Sequence, residues 1–263
     1  MNLLSTILDK YNDVLMRSVV PIFINEDFDK SIYGSSLFVQ YKSNFLLVTA
    51  AHVVDDLGHD RLFYRNGDKL VCNVLLMNSA NGKDTTDLAL IRVPDEIVRN
   101  LKRDHIVIEL DNLDSHVISG PEFAFLIVGF PYTKNKFRSK VTRTRALTYI
   151  GNELNEEGYA KMKSCKKKEL ILEINQSQIM DIRSGTECPA LPSLKGISGG
   201  GVWCIGNFSK AGSGFFQPYP VGIVREIDQK NIALMVSRIQ YIIPGFEKLI
   251  QIETSPEDKP TIG

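Results

Sequence analysis

The stretch that decides how this chain is interpreted is "KGISGGGVW", residues 195–203, in which one serine lies among four glycines. Gly196, Ser198 and Gly200 satisfy the pattern G-x-S-x-G, which in some hydrolases marks a nucleophilic serine on a sharp turn. The same stretch fits a flexible glycine loop with no chemical role. The stretch alone leaves both interpretations open, and the rest of the chain has to separate them.

One version of this pattern is excluded by the order of residues along the chain. In α/β-hydrolases the serine opens a helix, and the catalytic acid and histidine come after it. Here the segment "VWCI" (202–205) follows the glycines, and its β-branched and aromatic residues favour a strand. Every histidine precedes Ser198 in the sequence, namely His52, His59, His105 and His116. The order that remains to be tested is His, then Asp, then Ser.

Two upstream segments supply a histidine and an aspartate in that order. His52 follows an apolar run in "FLLVTAAHVV" (45–54), and Asp87 precedes another in "DTTDLALIRV" (84–93). Taken singly, His52 is best interpreted as a structural histidine at a strand end, and Asp87 as a turn cap. Taken with Ser198, they supply a base, a carboxylate that fixes the tautomer of that base, and a nucleophile. The order and the flanking strands together favour this second interpretation.

The motifs "VTAAHVV", "DLALI" and "GISGGGVW" resemble the His, Asp and Ser motifs of trypsin/chymotrypsin-like serine peptidases, and in particular the short bacterial trypsin-like peptidases. This resemblance implies an all-β fold of two packed six-stranded antiparallel β-barrels, with the site in the cleft between them. It also implies that Ser198 is the nucleophile, that His52 is the general base and that Asp87 orients His52. The oxyanion hole would then consist of the backbone N–H groups of Gly196 and Ser198.

Short apolar segments separated by turn signals recur along the chain, which is typical of antiparallel sandwiches and barrels. They lie at 19–24, 36–41, 45–49, 70–77, 88–93, 123–130, 146–150, 170–174, 201–205, 220–224 and 233–236, with a polar connector at about 110–120. We therefore predict a lead-in helix at 1–18, a first barrel at 19–115 that carries His52 and Asp87, a second barrel at 116–250 that carries Ser198, and a flexible tail at 251–263. A helical pattern over 237–250 predicts a closing helix at the end of the second barrel, bent near Pro244.

The composition of the chain limits the kinds of partner that we expect it to bind. The chain has 263 residues with 31 Lys+Arg and 31 Asp+Glu, so no net charge directs it to nucleic acid or to an anionic membrane. No apolar run approaches the length of about 20 residues that spans a bilayer. The four cysteines form no C-x-x-C pair, and no leader segment is recognised at the N-terminus, so we expect free thiols and a cytoplasmic protein. Neither a metal nor an organic cofactor is indicated.

The chain departs from the family pattern at two places. Secreted digestive members have an aspartate before the serine, which pairs with a newly cut N-terminus, whereas this chain has Ile197. Control by an activating protein partner or by a conformational change of the site is the resulting hypothesis. The resemblance also assigns the substrate pocket to Pro192 at its floor and to Arg225, Glu226 and Ile227 at its wall. A small or apolar P1 residue fits Pro192, and Glu226 leaves a basic preference open.

Three functions fit these residues. The first is a serine endopeptidase that hydrolyses a protein or peptide substrate through an acyl-enzyme. The second is a catalytically silent binding module on the same fold, which an intact triad argues against. The third is an esterase that uses the same site.

Overall fold

The computed structural model describes residues 10–11, 13–26, 29–55, 62–63, 73–78, 87–110, 120, 123–131, 146–162, 164, 169–174, 180–181, 186–187, 195–207, 218–228, 233–240 and 243–247. β-strands make up most of these residues, and helices are few and short. The strands form two sheets, one from each half of the chain.

The first sheet is built from strands that follow one another closely in sequence. Its members are β1 (Val19–Glu26), β2 (Asp29–Tyr41), β3 (Asn44–Thr49), β4 (Leu62–Phe63), β5 (Asn73–Asn78), β6 (Leu88–Arg92) and β7 (Ile108–Glu109). Six of them lie side by side in the order β4-β1-β2-β3-β6-β5, and all neighbours in this order are antiparallel. The short β7 pairs with β2 in parallel.

The second sheet closes on itself. Its members are β8 (Phe123–Gly129), β9 (Leu147–Glu153), β10 (Glu169–Ile174), β11 (Met180–Asp181), β12 (Thr186–Glu187), β13 (Gly201–Asn207), β14 (Tyr219–Asp228) and β15 (Ala233–Arg238). The order β10-β15-β14-β13-β8-β9 is completed by a pairing of β9 with β10, so these strands form a closed six-stranded antiparallel barrel. Closure satisfies the hydrogen-bonding groups that an edge strand would leave unpaired.

The helices lie at the ends of the chain and between strands. Helix α1 comprises residues 10–11 and 13–17, α2 is Ala51–Asp55, α3 is Asp95–Asp104, α4 is Glu156–Lys161, and α5 comprises residues 239–240 and 243–247. Among the described residues, no helix is both long and apolar enough to cross a membrane.

Strands buried on both faces hold the two sheets together. In β6, Leu88 and Leu90 pack into a core shared by the sheets, whereas Ala89 and Ile91 pack into the interior of the first sheet. The strand β8 divides its side chains in the same way between the shared core and the barrel interior. Successive strand residues point to opposite faces, so burial of both faces explains why these segments are continuous apolar runs. The shared core fixes the sheets against each other along the seam where the predicted site lies.

The prediction of an all-β fold is confirmed, and of the two predicted six-stranded barrels the one that carries Ser198 is closed. The first sheet has the expected six antiparallel strands, but the described residues include no pairing that closes it. Residues 237–238 end β15 instead of starting the closing helix, because Ser237 pairs with Ile223 and with Glu169. The predicted domain boundaries stay predictions, and residues 111–119 of the connector, like the tail at 251–263, lie outside the described residues.

Candidate active site

His52 and Asp87 are in direct contact. His52 is the second residue of α2, which begins where β3 ends, and Asp87 is the residue before β6. Asp87 Oδ2 lies 2.7 Å from His52 Nδ1, and Asp87 Oδ1 accepts a hydrogen bond of 3.0 Å from the backbone N–H of His52. An ionised carboxylate only accepts hydrogen bonds, so Nδ1 carries the proton and Nε2 is left as the basic nitrogen.

The side chains of His52 and Asp87 differ strongly in their exposure to solvent. The Asp87 side chain is 5% exposed, whereas the His52 side chain is 41% exposed. The carboxylate is therefore held inside the protein while the imidazole reaches solvent. Directly before His52 in the chain, Ala50 and Ala51 are fully buried, and small side chains at these positions let the helix begin close to β6.

The backbone at Asp87 is held in an uncommon conformation. Its φ is 39°, in the left-handed region that few residues other than glycine adopt, although aspartate and asparagine tolerate it best. Its carbonyl accepts a hydrogen bond of 3.2 Å from Ala51 N. Backbone and side chain of Asp87 thus both bind the first turn of α2, which fixes the imidazole relative to β6.

The loop that carries Ser198 is a tight turn attached to β14. Gly200 N donates to Ile197 O at 2.7 Å and closes the turn. Gly199 N donates to Val224 O at 2.7 Å, and Val224 N donates to Gly200 O at 2.8 Å. Gly199 has a φ of +82°, and a Cβ there would lie 1.8 Å from Ser35 O, so only glycine fits at this position.

The same loop is bound to the first sheet. Ser35 N, in β2, donates to Ser198 O at 2.8 Å, and Ser35 Oγ donates to Gly196 O at 2.9 Å. A Cβ built on Gly34 would lie 2.7 Å from Val53 Cγ1 and 3.4 Å from Ser198 O, so the loop of Ser198 and the helix of His52 meet at this point. Ser35 was not among the site residues predicted from the sequence. The signal that was available is a pair of serines directly before an apolar run, in "GSSLFV" (34–39).

The predicted oxyanion hole consists of two backbone N–H groups, those of Gly196 and Ser198. Gly196 has a φ of +92°. Within the part of the chain that the structure describes, neither Gly196 N nor Ser198 N donates a hydrogen bond. Ser198 itself is partly exposed, and its hydroxyl makes no hydrogen bond to a described residue. The structure thus brings His52 to Asp87 and the serine loop to their sheet, while the hydrogen bond between Ser198 and His52 stays a prediction.

The predicted pocket residues have different surroundings. Pro192 lies outside the described residues. The guanidinium of Arg225 is buried and lies 2.5 Å from the carboxylate of Glu169, so its charge is paired within the barrel. Glu226 is exposed and Ile227 is partly buried. The Arg225 side chain is therefore held in an ion pair with Glu169. Among residues 225–227, Glu226 is the acidic residue, and it is accessible to solvent.

Cys204 is free and buried in β13, and burial raises the pKa of its thiol. The other cysteines, with His59 and His116, lie outside the described residues. Among those that are described, no cluster of three His, Cys, Asp or Glu side chains is arranged to hold a metal ion.

Comparisons with known proteins agree with this architecture. The crystal structure of the scabies mite inactivated protease paralogue S-D1 superposes with a TM-score of 0.52 over 91% of this chain and 94% of that one, at 14% sequence identity. The likeness supports a trypsin-like fold. At this identity it bears on the fold and leaves the activity open. No family model matches the sequence, and no curated protein matches it.

Proposed function

We propose that this chain is a serine endopeptidase in which Ser198 attacks a peptide carbonyl with His52 as general base. The observation that carries the proposal is the bidentate contact of Asp87, with one oxygen on His52 Nδ1 at 2.7 Å and the other on His52 N at 3.0 Å. A buried carboxylate that holds a solvent-accessible imidazole in one tautomer is the arrangement that general-base catalysis requires. The closure of the first sheet into a second barrel is part of the same proposal.

The chemistry follows from the two nitrogen atoms of the His52 ring. With its proton on Nδ1 and a hydrogen bond to Asp87, His52 uses Nε2 to take the proton from Ser198 Oγ as this oxygen attacks the carbonyl. Asp87 stabilises the imidazolium that results. His52 then gives the proton to the leaving amine, and an acyl-enzyme remains on Ser198. Water, deprotonated by the same nitrogen, hydrolyses that ester and regenerates the serine.

The tetrahedral oxyanion needs hydrogen-bond donors that are already in place. Ile197 O accepts from Gly200 N inside the turn, and a trans peptide unit directs its N–H opposite to its carbonyl. Ser198 N therefore points away from the turn and is available, as is Gly196 N. Donors of this kind are worth about 10²–10³ in turnover each. We assign both amides to the oxyanion on this basis.

An extended substrate would bind along β14. The hydrogen bonds of this strand to Gly199 and Gly200 end at Val224, and the strand continues to Asp228. Addition of an extended peptide to a strand gives affinity through main-chain hydrogen bonds. Glu226 is exposed on this continuation, so we propose that it contributes to side-chain preference, together with the pocket residues that the resemblance assigns.

The mechanism needs a hydrogen bond from Ser198 Oγ to His52 Nε2, which Ser198 does not make in the structure. Hydrogen bonds of catalytic groups are often long in unliganded enzymes and shorten when substrate binds. The proposal therefore includes a conformational step, driven by substrate or by an activating protein partner, that brings the hydroxyl to Nε2. A silent binding module is the second candidate function, since the structural neighbour is by its name an inactivated protease paralogue and the Ser198 hydroxyl has no partner among the described residues.

The test is hydrolysis of a peptide library and of simple esters by the full chain, with Ser198→Ala as the matched control. A peptidase cleaves peptides in the wild type and not in the variant. Cleavage of esters alone identifies the esterase. Absence of both activities, in folded protein that also fails to react with a fluorophosphonate, identifies the silent module and contradicts the proposal.

A further inference from the structure

Ser35 makes hydrogen bonds to both sheets at once, through every polar group that it has. It belongs to β2 of the first sheet and is fully buried. Its hydroxyl donates to Gly196 O at 2.9 Å and accepts from Phe130 N at 3.0 Å, and both of these groups adjoin strands of the second sheet, Phe130 directly after β8 and Gly196 shortly before β13. Its backbone N–H donates to Ser198 O at 2.8 Å, and its carbonyl accepts from Thr49 Oγ1 at 2.8 Å.

The hydroxyl acts where the loop is most easily distorted. Gly196 has a φ of +92°, which glycine adopts readily but also leaves readily, because it has no Cβ to confine it. The adjoining residue, Ile197, is fully buried and apolar, so it contributes packing and no polar restraint of its own side chain. The hydrogen bond from Ser35 Oγ to Gly196 O is the described side-chain contact that fixes the peptide plane beside the amide of Gly196.

The hydroxyl is itself fixed in direction. A serine hydroxyl has one proton to donate, and it rotates to suit its partners. Here Phe130 N occupies one lone pair of Oγ from the β8 side, and Ser35 is confined by its backbone bonds to Ser198 and Thr49. The proton therefore points to Gly196 O, and the hydroxyl couples the first sheet, β8 and the serine loop.

We propose that Ser35 is a positioning residue for the oxyanion-binding amides, and that its hydroxyl keeps Gly196 in the conformation that presents Gly196 N to the substrate. This inference rests on the proposed function. It assigns to the first sheet a role in transition-state stabilisation besides that of holding His52 and Asp87. The hole is thus preformed, and the conformational step of the proposed function is confined to the contact between Ser198 and His52.

The test compares Ser35→Ala with Ser36→Ala. Ser36 is the next residue, is equally buried, and donates its hydroxyl to Val20 O at 3.0 Å within the first sheet. Each variant removes one buried hydroxyl, so both lose stability. The readout is the second-order rate of labelling of Ser198 by a fluorophosphonate, measured across pH. We expect the labelling rate of Ser35→Ala to fall at least about tenfold and that of Ser36→Ala to stay within about twofold of wild type. Removal of one oxyanion donor lowers turnover by about 10²–10³-fold, and a misplaced donor should cost part of that factor.

The pH profile separates positioning from general damage. The contact of His52 with Asp87 does not involve Ser35, so the pH of half-maximal labelling should be the same in Ser35→Ala and wild type while the plateau falls. If Ser35→Ala does not fold, Ser35→Cys replaces it; a thiol is a weak donor, and we expect labelling to slow by about three- to tenfold. The inference is overturned if Ser35→Ala is labelled as fast as Ser36→Ala, or if Ser35→Cys is labelled as fast as wild type. If wild type is not labelled at Ser198, the proposed function itself fails.

Discussion

Replacing Asp87 by asparagine changes one oxygen of the side chain into an amino group, and the structure determines which one. The backbone N–H of His52 can only donate, and it lies 3.0 Å from Asp87 Oδ1. The amide oxygen of an asparagine must therefore take the Oδ1 position, which leaves the NH₂ group facing His52 Nδ1. Because the left-handed backbone at residue 87 suits asparagine as well as aspartate, the main chain has no reason to move.

The consequence is a histidine in the wrong tautomer. With a donor opposite it, Nδ1 has to be the acceptor, so the ring proton moves to Nε2, where it blocks acceptance of the Ser198 proton. Loss of a triad aspartate in this way lowers turnover by about 10⁴, which corresponds to about 5.5 kcal/mol. Stability should change by only about 1 kcal/mol, or about 2–4 °C in Tm for a chain of this size, since the count of hydrogen bonds is kept.

The assay is the rate of fluorophosphonate labelling together with thermal unfolding. Asp55→Asn is the matched control, because Asp55 is exposed at the end of the same helix and the substitution is chemically identical. We expect the control to label like wild type. If Asp87→Asn labels within tenfold of wild type at unchanged stability, Asp87 does not control the tautomer of His52 and the reasoning is wrong.

Three further predictions concern packing, charge and ionisation. Gly199→Ala should destabilise the fold by at least about 3 kcal/mol in urea unfolding, because its Cβ would lie 1.8 Å from Ser35 O in a left-handed residue; a smaller loss would contradict the packing of the loop. Glu169→Ala should cost about 3–5 kcal/mol by leaving the Arg225 charge buried, and the added change Arg225→Met should restore most of it; additive losses would show that the two side chains do not act as a pair. Burial raises the pKa of the Cys204 thiol, so at pH 8 it stays protonated and should resist iodoacetamide until urea is added; peptide mapping that finds Cys204 alkylated in folded protein would refute this.

The strands were predictable because their buried positions appear in the sequence as runs of apolar residues. Segments such as 88–91 and 123–128 are apolar at every position, and the structure shows why, since each faces a core on both sides. The helix α3 was not predicted, although signals were present. Pro94 precedes it, acidic residues open it and basic residues end it, and Ile97, Val98 and Leu101 form its buried face.

The site was predictable only in part, for a physical reason. His52 follows β3 and Asp87 precedes β6, and these two strands pair with each other, so the apolar runs around the two residues were sufficient to suggest their contact. Ser35 lies 161 positions from Gly196, and its role exists only once the two sheets are packed together. A pair of serines directly before an apolar run predicts a solvent-facing turn equally well. Its function comes from tertiary contacts that no local pattern encodes.

The location of a fluorophosphonate adduct, determined by mass spectrometry of the 263-residue chain, tests the catalytic role of Ser198 most directly. We expect a single adduct on Ser198, formed by wild type and absent from Ser198→Ala and His52→Ala. Folded wild type that stays unlabelled, an adduct on another residue, or equal labelling of His52→Ala would contradict it.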